Sequence, residues 1–157
     1  MYVAAGSNVA PEENLARAVA ELARAFPGAR SSSWYRNRAV GFAGADFINL
    51  VVGFDTELPL PAVLERLQAI EALCGRGRDA PRWAPRSMDL DVLLYGDLVS
   101  EEPAVRVPRP DLLKRAYMLG PLAELAPEVI HPSARASIGE LWRAFDQAAH
   151  PLERLPR

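Results

Sequence analysis

Asp89 and Asp91 carry the clearest chemistry in this 157-residue chain. They lie in the run Arg82-Trp83-Ala84-Pro85-Arg86-Ser87-Met88-Asp89-Leu90-Asp91-Val92-Leu93-Leu94. Read as a strand, that run turns Met88, Leu90, Val92 and Leu94 to one face and both aspartates to the other. Two carboxylates about 7 Å apart along one strand face repel each other. A pair of divalent cations would remove that cost. Arg76, Arg78, Arg82 and Arg86 lie just upstream, in a segment with glycines and a proline at its ends. Carboxylate oxygens suit Mg²⁺ and guanidinium forks suit phosphate oxygens, so the combination points to a metal–polyphosphate site. An isolated Asp-x-Asp is more often a solvated strand face, and an isolated arginine run a solvated loop. Their adjacency, with Trp83 among the arginines, is what carries the reading.

The rest of the composition narrows the class. Lys114 is the only lysine and no Gly-x-x-x-x-Gly-Lys-Ser/Thr occurs, which argues against a Walker-type phosphate loop. A formal charge of −2 offers no general attraction to nucleic acid or to an anionic membrane. The single cysteine, Cys74, excludes an internal disulfide and suits a reducing compartment. It ends an apolar helical stretch and reads as a small buried hydrophobe. His131 and His150 read as structural or surface residues. No apolar run approaches ~20 residues and no signal peptide is visible, so the expectation is a cytoplasmic protein.

The length fits one domain over residues 1–157, and 50% hydrophobic residues are enough for a core. Tyr2 to Ala5 reads as a first strand ending at Gly6. Pro11 starts a helix carrying Leu15, Val19, Leu22 and Phe26 at helical spacing, stopped by Pro27-Gly28. Two strands, Ser31 to Tyr35 and Phe47 to Phe54, flank the loop Arg36 to Asp46. Pro61 opens a second helix with Leu64, Leu67 and Cys74 on one stripe and Gly75 as its cap. The Asp-x-Asp strand follows the arginine loop. Pro103, Pro108 and Pro110 then read as an extended linker. Ser137-x-x-Glu140 is a capping box opening a third helix with Leu141, Trp142 and Phe145. The order β-α-β-β-α-β predicts an α+β fold, a ferredoxin-like sandwich with an antiparallel sheet and a C-terminal helical extension. Helices should cover one sheet face and leave the other free for a site.

These residues resemble the signature of the 6-hydroxymethyl-7,8-dihydropterin pyrophosphokinases of folate biosynthesis. The likeness extends over roughly residues 1 to 132. Ala5-Gly6-Ser7-Asn8, Tyr35-Arg36, Val40-Gly41, Phe47-Ile48-Asn49, Glu71, Gly75-Arg76-Gly77-Arg78, Val107-Pro108, Arg115-Ala116-Tyr117-Met118-Leu119 and Pro121-Leu122 follow in the family's order. The resemblance implies the same fold and transfer of pyrophosphate from ATP to the pterin hydroxymethyl group, releasing AMP. It implies two Mg²⁺ held by Asp89 and Asp91, with Arg82 and Arg86 in catalysis. Arg78, Arg82 and Arg86 would contact phosphates and Arg115 would help on the leaving side, with Gln68, Glu71, Trp83, Val92 and Arg109 along the nucleotide. Gly6, Asn8, Val40, Phe47, Asn49, Trp83 and Tyr117 would surround the pterin. Its flat ring calls for aromatic planes, from Phe47, Trp83 and Tyr117, and for an amide, from Asn49. The loops Arg36 to Asp46 and Gly75 to Pro85 would close over ATP. The partners expected are the two small molecules, with no nucleic acid, no membrane and a monomeric chain.

Two departures stand out. Where the family commonly has Val-Pro-His-Pro, this chain has Val107-Pro108-Arg109-Pro110, a permanently charged fork in place of an imidazole. Where Tyr-Arg-Thr-Pro-Pro is usual, it has Tyr35-Arg36-Asn37-Arg38-Ala39, losing both prolines. Three other classes stay open at this point. An RNA-binding module of the same topology would need a basic sheet face, and Phe47 to Phe54 has no basic residue. A ligand-binding regulatory domain would not need two aspartates. Another Mg²⁺-dependent nucleotide transferase would bind nucleotide without pterin.

Overall fold

The computed structural model describes residues 1–38, 44–75 and 88–156. Strand β1 (Tyr2–Ser7) leads through Pro11 into helix α1 (Pro11–Ala25). Strands β2 (Arg30–Ser31) and β3 (Tyr35–Asn37) precede β4 (Phe47–Gly53) and helix α2 (Leu60–Leu73). Strand β5 (Asp89–Leu94) is followed by the hairpin β6 (Ser100–Glu102) and β7 (Val105–Val107). A 3-10 turn (Pro110–Leu113), helices α3 (Ala116–Leu125) and α4 (Ile138–Ala144), and strand β8 (Glu153–Arg154) complete the chain.

The main sheet runs β5-β1-β4-β3-β8, with β2 also paired to β4 and every pairing antiparallel. With β2 and β3 taken as one interrupted strand, the β-α-β-β-α-β order is the expected sandwich. The interruption has a local cause. Ser32 donates its N–H to Val51 O, and its Oγ accepts from Val51 N at 2.9 Å. A side chain thus takes a bond the backbone ladder would otherwise make.

Alternation along the strands sorts two cores. Val3, Ala5, Ile48, Leu50, Val52, Met88, Leu90 and Val92 face α1 and α2 and pack with Leu15, Leu22, Val63 and Leu67. Cys74 is buried in this layer, and burial pushes its thiol pKa up, as a small hydrophobe should behave. Ala4, Val51, Leu93 and Leu94 face the other way, onto Leu112, Met118, Leu119, Leu122 and Ile138. Leu94 therefore departs from the expected face. The β1–β5 register shifts between Tyr2 and Val3, and the extra residue reverses the alternation after Val92.

The second face is also less open than expected. Helices α3 and α4 cover part of it, and the segment expected to be an extended linker forms the β6–β7 hairpin and the 3-10 turn. The capping box is present at α4, with Glu140 N bonded to Ser137 Oγ and Ser137 N to Glu140 Oε2. What remains uncovered is one end of the second face. The C-terminal ends of β1 and β3 and the N-terminal ends of β4 and β5 meet there.

Candidate active site

Strand register sets the floor of the site. Gly6 on β1 pairs with Asp89 on β5 and with Asn49 on β4, and Asn49 pairs in turn with Tyr35 on β3. Asp91 pairs with Ala4, and Phe47 pairs with Asn37. The aspartates and the amide thus point to one face, two strand spacings apart, roughly 10 Å. Gly6 between them leaves room for the amide, which any larger residue would displace. A Cβ there would lie 2.5 Å from Asn49 Oδ1.

A cleft of about 290 Å³ stands over this floor. Gly6, Asn37, Phe47, Asn49, Asp89 and Asp91 line it from the sheet. Arg109 and Asp111, then Arg115, Tyr117 and Met118 from the start of α3, line it from above. Phe47 and Tyr117 therefore enter from opposite layers, an arrangement that can offer two apolar planes to a flat ring. Burial pushes the Tyr117 hydroxyl pKa up, with Arg115 opposing and Asp111 and Asp91 reinforcing. Since α3 begins at the cleft, its positive dipole end adds to Arg109 and Arg115 as an attraction for anions.

Arg109 Nη1 lies 3.3 Å from Asp91 Oδ1, and its backbone N–H bonds to Leu93 O at 2.9 Å, which ties it to β5. Its Nε is buried and has no hydrogen-bond partner among the described residues. Behind the floor, Glu71 on α2 accepts the Leu90 N–H at Oε1, 2.8 Å, and so occupies the outer edge of β5 between the two aspartates.

Eight of the residues expected from the sequence meet in this cleft: Gly6, Phe47, Asn49, Asp89, Asp91, Arg109, Arg115 and Tyr117. Asn8 is buried beside it and donates to Ala45 O at 3.3 Å, tying β1 to the start of β4. Gln68 lies on the exposed side of α2, and Val92 turns into the core against α1 and α2. Val40, Arg78, Arg82, Trp83 and Arg86 lie outside the described residues, as do most of the two proposed closing loops. Asn37 and Asp111 line the cleft without having been singled out as site residues. Asn37 had a signal, as the first changed residue in the Tyr-Arg-Thr-Pro-Pro pattern. Asp111 had none.

Two carboxylates sharing a cleft with arginines suit Mg²⁺, which is commonly held by one or two carboxylates with water and phosphate oxygens as its other ligands. Among the described residues no group of three or more His, Cys, Asp or Glu side chains forms an all-protein metal cage. Two carboxylates would leave the remaining positions of such an ion to water and phosphate oxygens. His131 lies away from the cleft. Its Nδ1 accepts from Ser133 N and Ala134 N at 3.2 and 3.0 Å, a structural role.

The model of the family described as 7,8-dihydro-6-hydroxymethylpterin-pyrophosphokinase (HPPK) matches residues 2–127. A 2-amino-4-hydroxy-6-hydroxymethyldihydropteridine pyrophosphokinase of Synechocystis is 39% identical over 150 residues, covering 94% of this chain and 76% of its own. A Pseudomonas aeruginosa enzyme of the same name is 39% identical over 160 residues, covering 99% and 96%. Among solved structures, an HPPK-DHPS in complex with substrates superposes with a TM-score of 0.69 at 12% identity. That match covers 94% of this chain and 43% of the larger one, and it speaks to the fold. No helix among the described residues is long and apolar enough to cross a membrane. The chain belongs to the 7,8-dihydro-6-hydroxymethylpterin-pyrophosphokinase family and is a pyrophosphokinase of folate biosynthesis.

Proposed function

We propose that the cleft transfers the terminal pyrophosphoryl group of ATP to the hydroxymethyl group of 6-hydroxymethyl-7,8-dihydropterin and releases AMP. The observation that carries this reading is the single floor shared by Asp89, Asp91, Gly6 and Asn49, with acid at one end and amide at the other. Such a transfer leaves the protein little covalent work, so positioning and charge neutralisation dominate.

Asn49 offers an amide edge to the pterin, with Phe47 and Tyr117 as candidate stacking planes. Asp89 and Asp91 would hold two Mg²⁺, which when bound supply Lewis-acid stabilisation of phosphate charge and lower the pKa of the attacking hydroxyl. Arg109 and Arg115 would meet the triphosphate, each able to donate a fork to phosphate oxygens. Arg109 Nε, without a partner among the described residues, supports that role, because an acceptor reaching it would satisfy a buried donor. The roles carried over for Gln68, Glu71, Arg78, Arg82, Trp83, Arg86 and Val92 along the nucleotide rest on the family pattern alone. So do those of Asn8 and Val40 at the pterin. We further infer one domain over residues 1–157, which its length supports, in the cytoplasm, which its lone buried cysteine suits, and we propose a monomer.

Incubation with ATP, Mg²⁺ and the reduced hydroxymethylpterin tests the reading, with phosphorus NMR of the mixture as the readout. AMP and a pterin diphosphate are expected. ADP with a pterin monophosphate would reject pyrophosphoryl transfer.

A further inference from the structure

We propose that Asn37 is a specificity-determining positioning residue, which fixes the way round that the Asn49 carboxamide faces the cleft. The inference rests on the reading that this end of the cleft takes the pterin.

A carboxamide is nearly symmetric in shape but not in chemistry: rotated by a half-turn, it exchanges a donor for an acceptor. Asn49 is 6% exposed, so its orientation decides which heterocycle edge it can pair. A relay selects one of the two. The carbonyl of Arg38 can only accept, and Asn37 turns its Nδ2 toward it, 3.0 Å away. That leaves Asn37 Oδ1, which can only accept, on the side of Asn49. Asn49 must therefore present its NH₂ there, and its Nδ2 donates to Asn37 Oδ1.

Strand register makes the contact possible. Asn37 pairs with Phe47 and Tyr35 with Asn49, so Asn37 sits diagonally from Asn49 on the same sheet face. Asn49 Oδ1 then occupies the space above Gly6 that a Cβ would fill. Reversing the amide would set two oxygens against each other in a half-buried place, at the cost of an unmade hydrogen bond. One Asn49 N–H is thus committed to Asn37. The other N–H and Oδ1 form a fixed donor–acceptor pair for the ring. A hydroxyl at position 37, as in the Tyr-Arg-Thr-Pro-Pro pattern that this chain departs from, rotates to donate or accept and would select neither orientation.

The test compares wild type, Asn37→Ala and Asn37→Asp in fluorescence titrations with 6-hydroxymethylpterin and with its 2,4-dioxo counterpart. The counterpart carries a carbonyl acceptor where the pterin has its 2-amino donor. The readout is the ratio of the two Kd values. Wild type is expected to favour the pterin, and Asn37→Ala to shrink that ratio by about tenfold or more, because the freed amide can rotate to suit either ligand. Asn37→Asp is expected to keep the ratio, since a carboxylate also only accepts. Affinity for an α,β-methylene ATP analogue with Mg²⁺ should hold in all three. Should the alanine variant lower Tm, Asn37→Ser is expected to lose the ratio in the same way. A ratio unchanged in Asn37→Ala, or both ligands weakened in parallel, would overturn the inference. Asn49→Ala with unaltered pterin binding would instead reject the pterin reading on which it rests.

Discussion

Arg109 lies at the junction of the two charge systems in the cleft, 3.3 Å from Asp91 and half-buried over the floor. While paired to Asp91 it neutralises one of the carboxylates that would hold metal. Replacing it should therefore have opposite effects on two measurements. Arg109→Gln is expected to tighten Mn²⁺ binding in the absence of nucleotide, by titration calorimetry. Arg109→Ala should lower kcat/KM with ATP by about 10- to 100-fold, the equivalent of losing a hydrogen bond to a charged group. Arg109→His should recover part of that activity and lose it again as pH rises through about 6.5, because only the imidazolium carries charge. Unchanged Mn²⁺ affinity in Arg109→Gln would mean that the ion pair does not compete with metal. Asp89→Asn and Asp91→Asn should each cost on the order of a thousandfold in single-turnover rate while the domain still folds, and near-normal rates would remove the metal role. Residue type and spacing were enough to single out the aspartates, whereas Asn49 and Arg109 were singled out by the resemblance to the family pattern. Neither could disclose Asn37's contact with Asn49, because a diagonal neighbour exists only once register is fixed, and a one-residue slip would turn Asn37 to the other face.

At the scale of elements, β1, α1, β4 and α2 were legible because each keeps its period and has a Gly or Pro at or near an end, and β5 was legible up to Val92, where its alternation reverses. Helix α3 was not. Its Gly120-Pro121 reads as a break, and a proline inside a helix costs about 3 kcal/mol. Burial of Met118, Leu119, Leu122 and Ala123 between the sheet and α4 offsets that cost. The turn between α3 and α4 depends on His131, whose Nδ1 accepts two backbone N–H groups. Burial pushes its pKa below the ordinary 6.5, so the folded protein keeps the ring neutral. The unfolded chain takes up the proton first as pH falls below 6.5, so the stabilisation is present above that pH and lost beneath it. Protonation would also turn Nδ1 into a donor facing two donors. Urea unfolding should show stability falling between pH 7 and 5 in the wild type. His131→Asn keeps a side-chain acceptor and removes the titration, so its stability should depend less on pH. Equal slopes in the two proteins would rule out His131 as the cause.

At the scale of the whole molecule, distant parts of the chain meet at Glu124 on α3. Its carboxylate accepts from Tyr35 Oη, from Ser33 N at 2.9 Å and from Ser33 Oγ at 2.8 Å, with Arg154 Nη2 of β8 3.8 Å away. Arg154 also donates to Ser33 Oγ, 121 residues distant in sequence. No local period could announce such contacts, which is why β8 and its docking on β3 were illegible in the sequence. Burial alone would raise the Glu124 pKa, but the bonds from Tyr35 and Ser33, with Arg154, hold it below the usual range. Burial and the bond to Glu124 push the Tyr35 hydroxyl up to about 12. An acid whose pKa is raised on folding stabilises the fold below its unfolded value and stops doing so as pH climbs to the folded one. The Tyr35 contribution should thus fade between pH about 10 and 12 and be absent from Tyr35→Phe. This cluster lies on β3, two residues from Asn37, whereas Asp89 and Asp91 lie on β5 beyond β4 and β1. Glu124→Ala is therefore expected to lower stability by about 1–2 kcal/mol, the hydrogen-bond range discounted for partial exposure. It should raise KM for the pterin while leaving affinity for a nucleotide analogue unchanged. An equal loss of both would mean that the two halves of the cleft are not held independently. A loss of stability with both affinities intact would confine Glu124 to folding.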